Sequence, residues 1–170
     1  VFQMPTLFPW LTVEQNVAFS LKMLKKYNDK KGQLEKLIKT VGLSDFAGSY
    51  PHQLSGGMAQ RVALIRTMIN EPEVFLLDEP LGALDAFTRM NMQDELISMW
   101  QEGKNIVLLV THDVDEAIYL STRVVVMAPR PGRIQADLAI ELDYPRNRTS
   151  DEFVRYRNKI MDMLNFGGSM

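Results

Sequence analysis

The chain has 170 residues, 46% of them hydrophobic and 24% charged, and carries a formal net charge of -2 at pH 7. That composition suits one globular domain or a large piece of one, and the charge balance supplies no overall basic field for non-specific nucleic-acid binding. The absence of cysteine excludes disulfides and thiolate metal sites, and His52 and His112 are too few for a histidine-rich zinc site.

The chain opens on Val1-Phe2-Gln3, which reads as the tail of a strand already in progress, so an N-terminally incomplete domain is expected. An apolar loop broken by Pro5 and Pro9 leads to Thr12-Val13-Glu14-Gln15. This is a capping box, with Thr12 as the cap and Gln15 reaching back, and it predicts a helix over 13 to 25. Leu34, Leu37, Ile38 and Val41 recur at helical spacing ahead of Gly42, which predicts a helix over 33 to 41 that stops at the glycine. The N-terminal part, up to residue 70, therefore reads as mostly helical.

The pattern changes at Val74-Phe75-Leu76-Leu77, an apolar run closed by Asp78-Glu79-Pro80 and read as a strand buried on both faces. Residues 105 to 110 and 123 to 127 have the same character. The intervening segments, 85 to 101 and 113 to 120, begin at helix caps, Asp85 and Asp113. Strands alternating with helices predict an α/β parallel sheet. A Pro129-Arg130-Pro131-Gly132-Arg133 turn leads into a last strand near 133 to 141. Ser150 is placed to cap a terminal helix carrying Phe153, Ile160, Met161 and Leu164, and Gly167-Gly168-Ser169 reads as a frayed tail. No apolar run approaches the roughly 18 to 20 residues that span a bilayer.

Ligands of α/β sheets gather beyond the carboxyl ends of the strands, where Asp78, Glu79, Thr111 and His112 all fall. An acid directly after a strand can hold magnesium through water, and the next can orient or deprotonate an attacking water. An acid pair can equally end a strand in a solvated turn, and position alone leaves both readings open. In Leu54-Ser55-Gly56-Gly57-Met58-Ala59-Gln60-Arg61, Ser55 can cap a helix whose first two residues lack Cβ, so backbone N–H groups can approach an anion closely. What is specific is the order of the set: Gln3, LSGGMAQR, FLLDEP, Leu84-Asp85 and Thr111-His112-Asp113.

Over nearly its whole length the chain resembles the ATP-binding-cassette ATPases, the nucleotide-binding subunits of ABC transporters. The resemblance implies a P-loop NTPase, RecA-like parallel sheet with an inserted helical subdomain. It divides the chain into a helical and signature part over 4 to 70, a Walker B and switch part of the α/β core over 71 to 142, and a C-terminal helix and tail over 143 to 170. Gln3 matches the glutamine that senses magnesium and the γ-phosphate, and LSGGMAQR the signature that closes over ATP held by the opposite subunit of a dimer. The implied ATP contacts in that arm are Ser55, Gly56, Gly57, Gln60 and, across the dimer, Asp85. Asp78 matches the Walker B acid that holds magnesium, Glu79 the catalytic base, and His112 the switch histidine. His52 reads as structural.

One motif of the family has no match: G-x-x-x-x-G-K-[ST] occurs nowhere in the 170 residues. The family places it upstream of the glutamine, so the loop and the N-terminal strands are expected to precede Val1, one missing strand belonging between those at 105 to 110 and 123 to 127. ATP binding with Mg2+ is then expected of the intact protein and not of this segment alone.

YPHQLSGGM, DEPLGALDAFTR, THDVDEAIYL and MAPRPGRI are similar to bacterial importers of the nitrate, sulfonate and taurine group. That likeness implies a second ATPase subunit, transmembrane permease subunits and, indirectly, a periplasmic or lipid-anchored solute-binding protein as partners, no nucleic acid, and a peripheral place on the cytoplasmic face of the inner membrane. Phe8, Pro9 and Trp10 are candidates for the permease contact, with burial in a small local core the other reading. The alternatives are a soluble non-transport ABC ATPase and a non-catalytic interaction module.

Overall fold

A computed structural model describes residues 6 to 103 and 105 to 166, the side chains of 165 and 166 excepted. Gln3 and the terminal Gly167-Gly168-Ser169 lie outside the described residues. The chain divides into two compact units, 1 to 110 and 111 to 170.

In the first unit helices come first because their local signals are complete. α1 (Val13–Met23) starts at the Thr12 cap with both bonds of the capping box present. α2 (Tyr27–Thr40) starts well before the apolar repeat does, so the helix predicted over 33 to 41 has an additional polar first half. That half contains Asp29, Lys30 and Lys31 and carries no apolar periodicity from which it could be read. Gly42 ends the segment at a φ of 67°, a left-handed conformation that glycine adopts without strain. α3 (Gly56–Met68) is capped by Ser55 and packs against α1 and α2. Between the three helices lie Val17, Leu21, Leu34, Val41, Val62, Ile65 and Ile69, all essentially sealed from solvent.

β1 (Val74–Asp78) and β2 (Ile106–Val110) pair in parallel, with Val74 opposite Ile106, Leu76 opposite Leu108 and Asp78 opposite Val110. α4 (Ala86–Glu102) connects them and starts on the Asp85 cap, whose carboxylate accepts the Thr88 N–H at 3.0 Å. The predicted burial on both faces does not hold within this chain. Phe75 and Leu77 are buried, but Leu76 is 60% exposed and Ile106 and Leu108 on β2 similarly so. Side chains alternate across a strand, and the described residues cover only one of the two faces.

In the second unit α5 (Val114–Leu120), capped by Asp113, leads into β3 (Arg123–Ala128). β3 pairs antiparallel with β4 (Arg133–Ala139), and α6 (Asp151–Phe166) packs on α5 and β3. The α/β parallel character thus belongs to β1 and β2, whereas β3 and β4 form a separate antiparallel pair. Ser150 accepts the Phe153 N–H at 3.3 Å, as its cap position predicts. On α6 Phe153 and Ile160 are buried, whereas Met161 and Leu164 are more than two-fifths exposed.

A polar tie fixes α2 to the turn before β1. Lys30 Nζ lies 2.7 Å from the Glu71 carboxylate and Gln33 Nε2 donates to it at 2.8 Å. Those hydrogen bonds, Lys30 first, hold the Glu71 carboxyl below its ordinary value of 4.5. A depressed folded-state pKa means that the stabilisation is fully present above the unfolded value and lost as pH falls through the folded one. Glu71→Gln should therefore lower the melting temperature modestly at neutral pH, where the tie is fully formed, and flatten the acid limb of the profile below pH 4.5, where the parent loses the same stabilisation. An unaltered acid limb would show that the tie contributes nothing.

Candidate functional site

Ser55 stands exposed at the start of α3, with its Oγ accepting the Met58 N–H at 3.2 Å. Gly56 and Gly57 are the first helical residues, where N–H groups have no carbonyl a turn earlier, and the helix end carries about half a positive charge. The two glycines differ. A Cβ on Gly56 would meet nothing within 4 Å, whereas one on Gly57 would lie 2.8 Å from the Ala83 carbonyl oxygen. Gly57 is thus the point at which the signature helix approaches the backbone of the Leu84-Asp85 turn.

That contact makes a separable prediction. Gly57→Ala forces a backbone shift and should destabilise by about 1 to 3 kcal/mol, while Gly56→Ala, at an open helical position, should be neutral or gain up to about 1 kcal/mol. Equal melting temperatures for the two variants would contradict the contact.

Gln60, one turn further along, is only 5% exposed. Its side chain belongs to the interior side of α3 and presents almost no surface to a nucleotide. Asp85 is exposed, but its carboxylate serves α4: Thr88 donates to it from the backbone and, at 2.7 Å, from the hydroxyl. These bonds, the backbone one first, lower its pKa, and the charge of Arg61 lowers it further.

Asp78 is the exposed last residue of β1. Glu79 follows with a φ of 45°, a left-handed conformation uncommon for a residue with a Cβ, and its N–H donates to the Val110 carbonyl at 2.9 Å. The ladder to β2 is therefore carried one residue beyond β1, and the chain turns at Glu79 into Pro80. Backbone outliers of this kind cluster at functional sites. Among the described residues no three His, Asp or Glu side chains gather as a metal site. The Asp78-Glu79 pair still fits magnesium, which is commonly bound through one or two carboxylates, waters and substrate phosphates.

His112 belongs to the second unit and is exposed, two residues before α5. The turn holding it is fixed from both sides: Thr111 Oγ1 accepts the Asp113 N–H at 3.1 Å, and Asp113 Oδ1 accepts the Glu116 N–H at 3.1 Å. His52 stacks on Tyr50 at 5.9 Å in the short helical turn before the signature.

Trp10 is 68% exposed, so the local-core reading does not describe it. Phe8, half-buried, stands 5.7 Å from Trp10 and 4.5 Å from Phe19. The loop is held by a residue that the motif search overlooked. Asn16, fully buried, accepts the Phe8 N–H at 2.9 Å and donates to the carbonyls of Leu11 at 2.9 Å and Thr12 at 3.0 Å. Its one sequence signal is a polar residue on the apolar Val13-Val17 face of α1.

Comparison with known proteins extends this arrangement. Residues 1 to 82 match the family described as ABC transporter. An uncharacterised ABC transporter ATP-binding protein of Methanocaldococcus jannaschii is 53% identical over 165 residues, 96% of this chain and 62% of its own. An aliphatic sulfonates import ATP-binding protein of Bacillus thuringiensis is 47% identical over 168 residues, 99% of this chain and 66% of its own. This chain therefore spans just under two thirds of the length of these relatives. A dimeric ATP-binding cassette solved in a post-hydrolysis state bound to ADP and Pi superposes with a TM-score of 0.69 at 30% identity, over 84% of this chain and 62% of that one.

The fold is accordingly that of the P-loop NTPase cassettes, an α/β core with a helical signature arm. Within that class the chain belongs to the ATP-binding proteins of ABC transporters. No helix among the described residues is long and apolar enough to cross a membrane.

Proposed function

We propose that the chain serves in the ATP-hydrolysing subunit of an ABC importer. In this reading its Ser55-Gly56-Gly57 helix start closes over ATP held by a second ATPase subunit, and its Asp78-Glu79 pair works on ATP of its own subunit. The observation that supports it most is the open Gly56 at the capped start of α3, a helix end built to receive an anion. Gln60, on the same helix, and Asp85, next to the Ala83 carbonyl that Gly57 approaches, are the further ATP contacts of this reading.

Glu79 accepts a proton from the attacking water, Gln3 and His112 contact the terminal phosphate, and Asp78 and Gln3 would hold magnesium. The bound ion would neutralise charge on the phosphates. Because phosphoryl transfer relies mainly on positioning and charge stabilisation, the grip on the β- and γ-phosphates has to come from a lysine loop that these residues do not contain.

The exposed Trp10, with Phe8 and Pro9, is the surface proposed for the permease, and the sulfonate-import relatives make sulfonates the first solutes to test. The protein, with its lysine loop, is expected to co-purify with the permease and to drive ATP-dependent uptake in proteoliposomes that also contain the solute-binding protein. Glu79-dependent hydrolysis that no permease captures or stimulates would favour a soluble ABC ATPase.

A further inference from the structure

α5 is only seven residues long, too short to hold its place through helix propensity. Its place is held from outside, by side chains of residues 144 to 157. At the C-terminal end stands Arg146, 6% exposed, whose guanidinium faces backbone carbonyls. Its Nη1 donates to the carbonyls of Ile118 and Ser121, the latter at 2.7 Å, and its Nε donates to that of Leu142 at 3.0 Å. Tyr144 adds a hydroxyl bond to the Leu120 carbonyl at 2.8 Å. A planar cation with five donors suits these unpaired carbonyls and meets the negative end of the helix dipole. At the other end, in the first turn of α5, Asp115 accepts both prongs of Arg157 from α6, with Nη2 2.8 Å from Oδ2.

His112 is separated from α5 only by its cap, Asp113, and the Thr111 and Asp113 hydrogen bonds tie the backbone on both sides of it. The histidine therefore follows α5 wherever α5 is held. We infer that Arg146 and Arg157 are positioning residues that set His112 for hydrolysis by clamping α5 at its two ends. This rests on the reading of His112 as a γ-phosphate contact. The C-terminal segment then acts on the chemistry without touching the nucleotide.

A merely structural clamp and a positioning clamp differ in their dependence on His112. In the complete ATPase, Arg157→Gln and Asp115→Asn each remove the two-pronged pair at a partly exposed place, so folding can be checked by cooperative melting. Arg146→Lys keeps the charge and loses the fork. Each variant is expected to lower kcat by about 10- to 100-fold with KM for ATP nearly unchanged, the loss typical of a misplaced catalytic group.

In a His112→Ala background the same substitutions should cost almost nothing further, because the group they position is gone. Equal losses in both backgrounds, or parent-level kcat in the folded Arg157→Gln and Asp115→Asn variants, would overturn the inference and leave the ATPase reading standing. Should His112→Ala alone retain parent-level hydrolysis, the reading beneath the inference fails, and the inference with it.

Discussion

Glu79→Gln, in the protein that carries its lysine phosphate loop, is expected to slow ATP hydrolysis by about 10² to 10⁴-fold, the usual loss on removing a general base. Nucleotide binding should persist, since the amide keeps the shape of the carboxylate and lacks only its basicity. The substitution leaves the local backbone intact. Glu79 is held in its left-handed turn by a main-chain bond to Val110 that the side chain does not make. A dimer closed on ATP should therefore accumulate, visible by size-exclusion chromatography with light scattering. Hydrolysis at the parent rate would remove Glu79 from the role of base.

Ser55→Arg should abolish ATP-dependent dimerisation while each subunit still binds ATP. The substitution loses the cap to Met58, worth about 1 kcal/mol. That loss is shared by Ser55→Ala, which serves as the control and should weaken dimers only modestly. The additional effect of arginine is steric, a long side chain standing over the open Gly56 amide where the partner's terminal phosphate has to arrive. A mixture of Ser55→Arg and Glu79→Gln chains, followed by light scattering with ATP, reads this directly. Undiminished dimers of Ser55→Arg alone would mean that the signature helix does not serve a nucleotide in trans.

The features legible in the sequence are those whose chemistry is local. The Thr12-Gln15 box and the Ser55, Asp85, Asp113 and Ser150 caps each bond within three residues, so the pattern names both donor and acceptor. The apolar runs of β1 and β2 gave strand and parallel pairing. They did not give burial, because an apolar run is the same whether one layer or two cover it, and here Leu76 and Leu108 face solvent.

Long-range partners were hidden for a different reason. Arg146 bonds to carbonyls 25 and 28 residues away, and a carbonyl carries no side-chain signature. LSGG presents two glycines as equivalents, and only the approach of Ala83 separates the one that packs from the one that stays open. The ordered set from LSGG to His112 is nevertheless enough to indicate the family, since each motif marks the start of a helix or the end of a strand in turn. Gln60, which the motif offers as an ATP contact, has a side chain that the fold buries, a burial that the motif does not reveal.

The most direct test compares residues 1 to 170 with the same chain extended by its own upstream coding sequence, measuring magnesium-ATP affinity by calorimetry and phosphate release against a Glu79→Gln control. The account predicts no micromolar binding and no turnover by the 170 residues, and Glu79-dependent turnover once a lysine phosphate loop is present. Micromolar binding with Glu79-dependent turnover by residues 1 to 170 alone would contradict the claim that these residues hold the signature and the base but not the grip on the nucleotide.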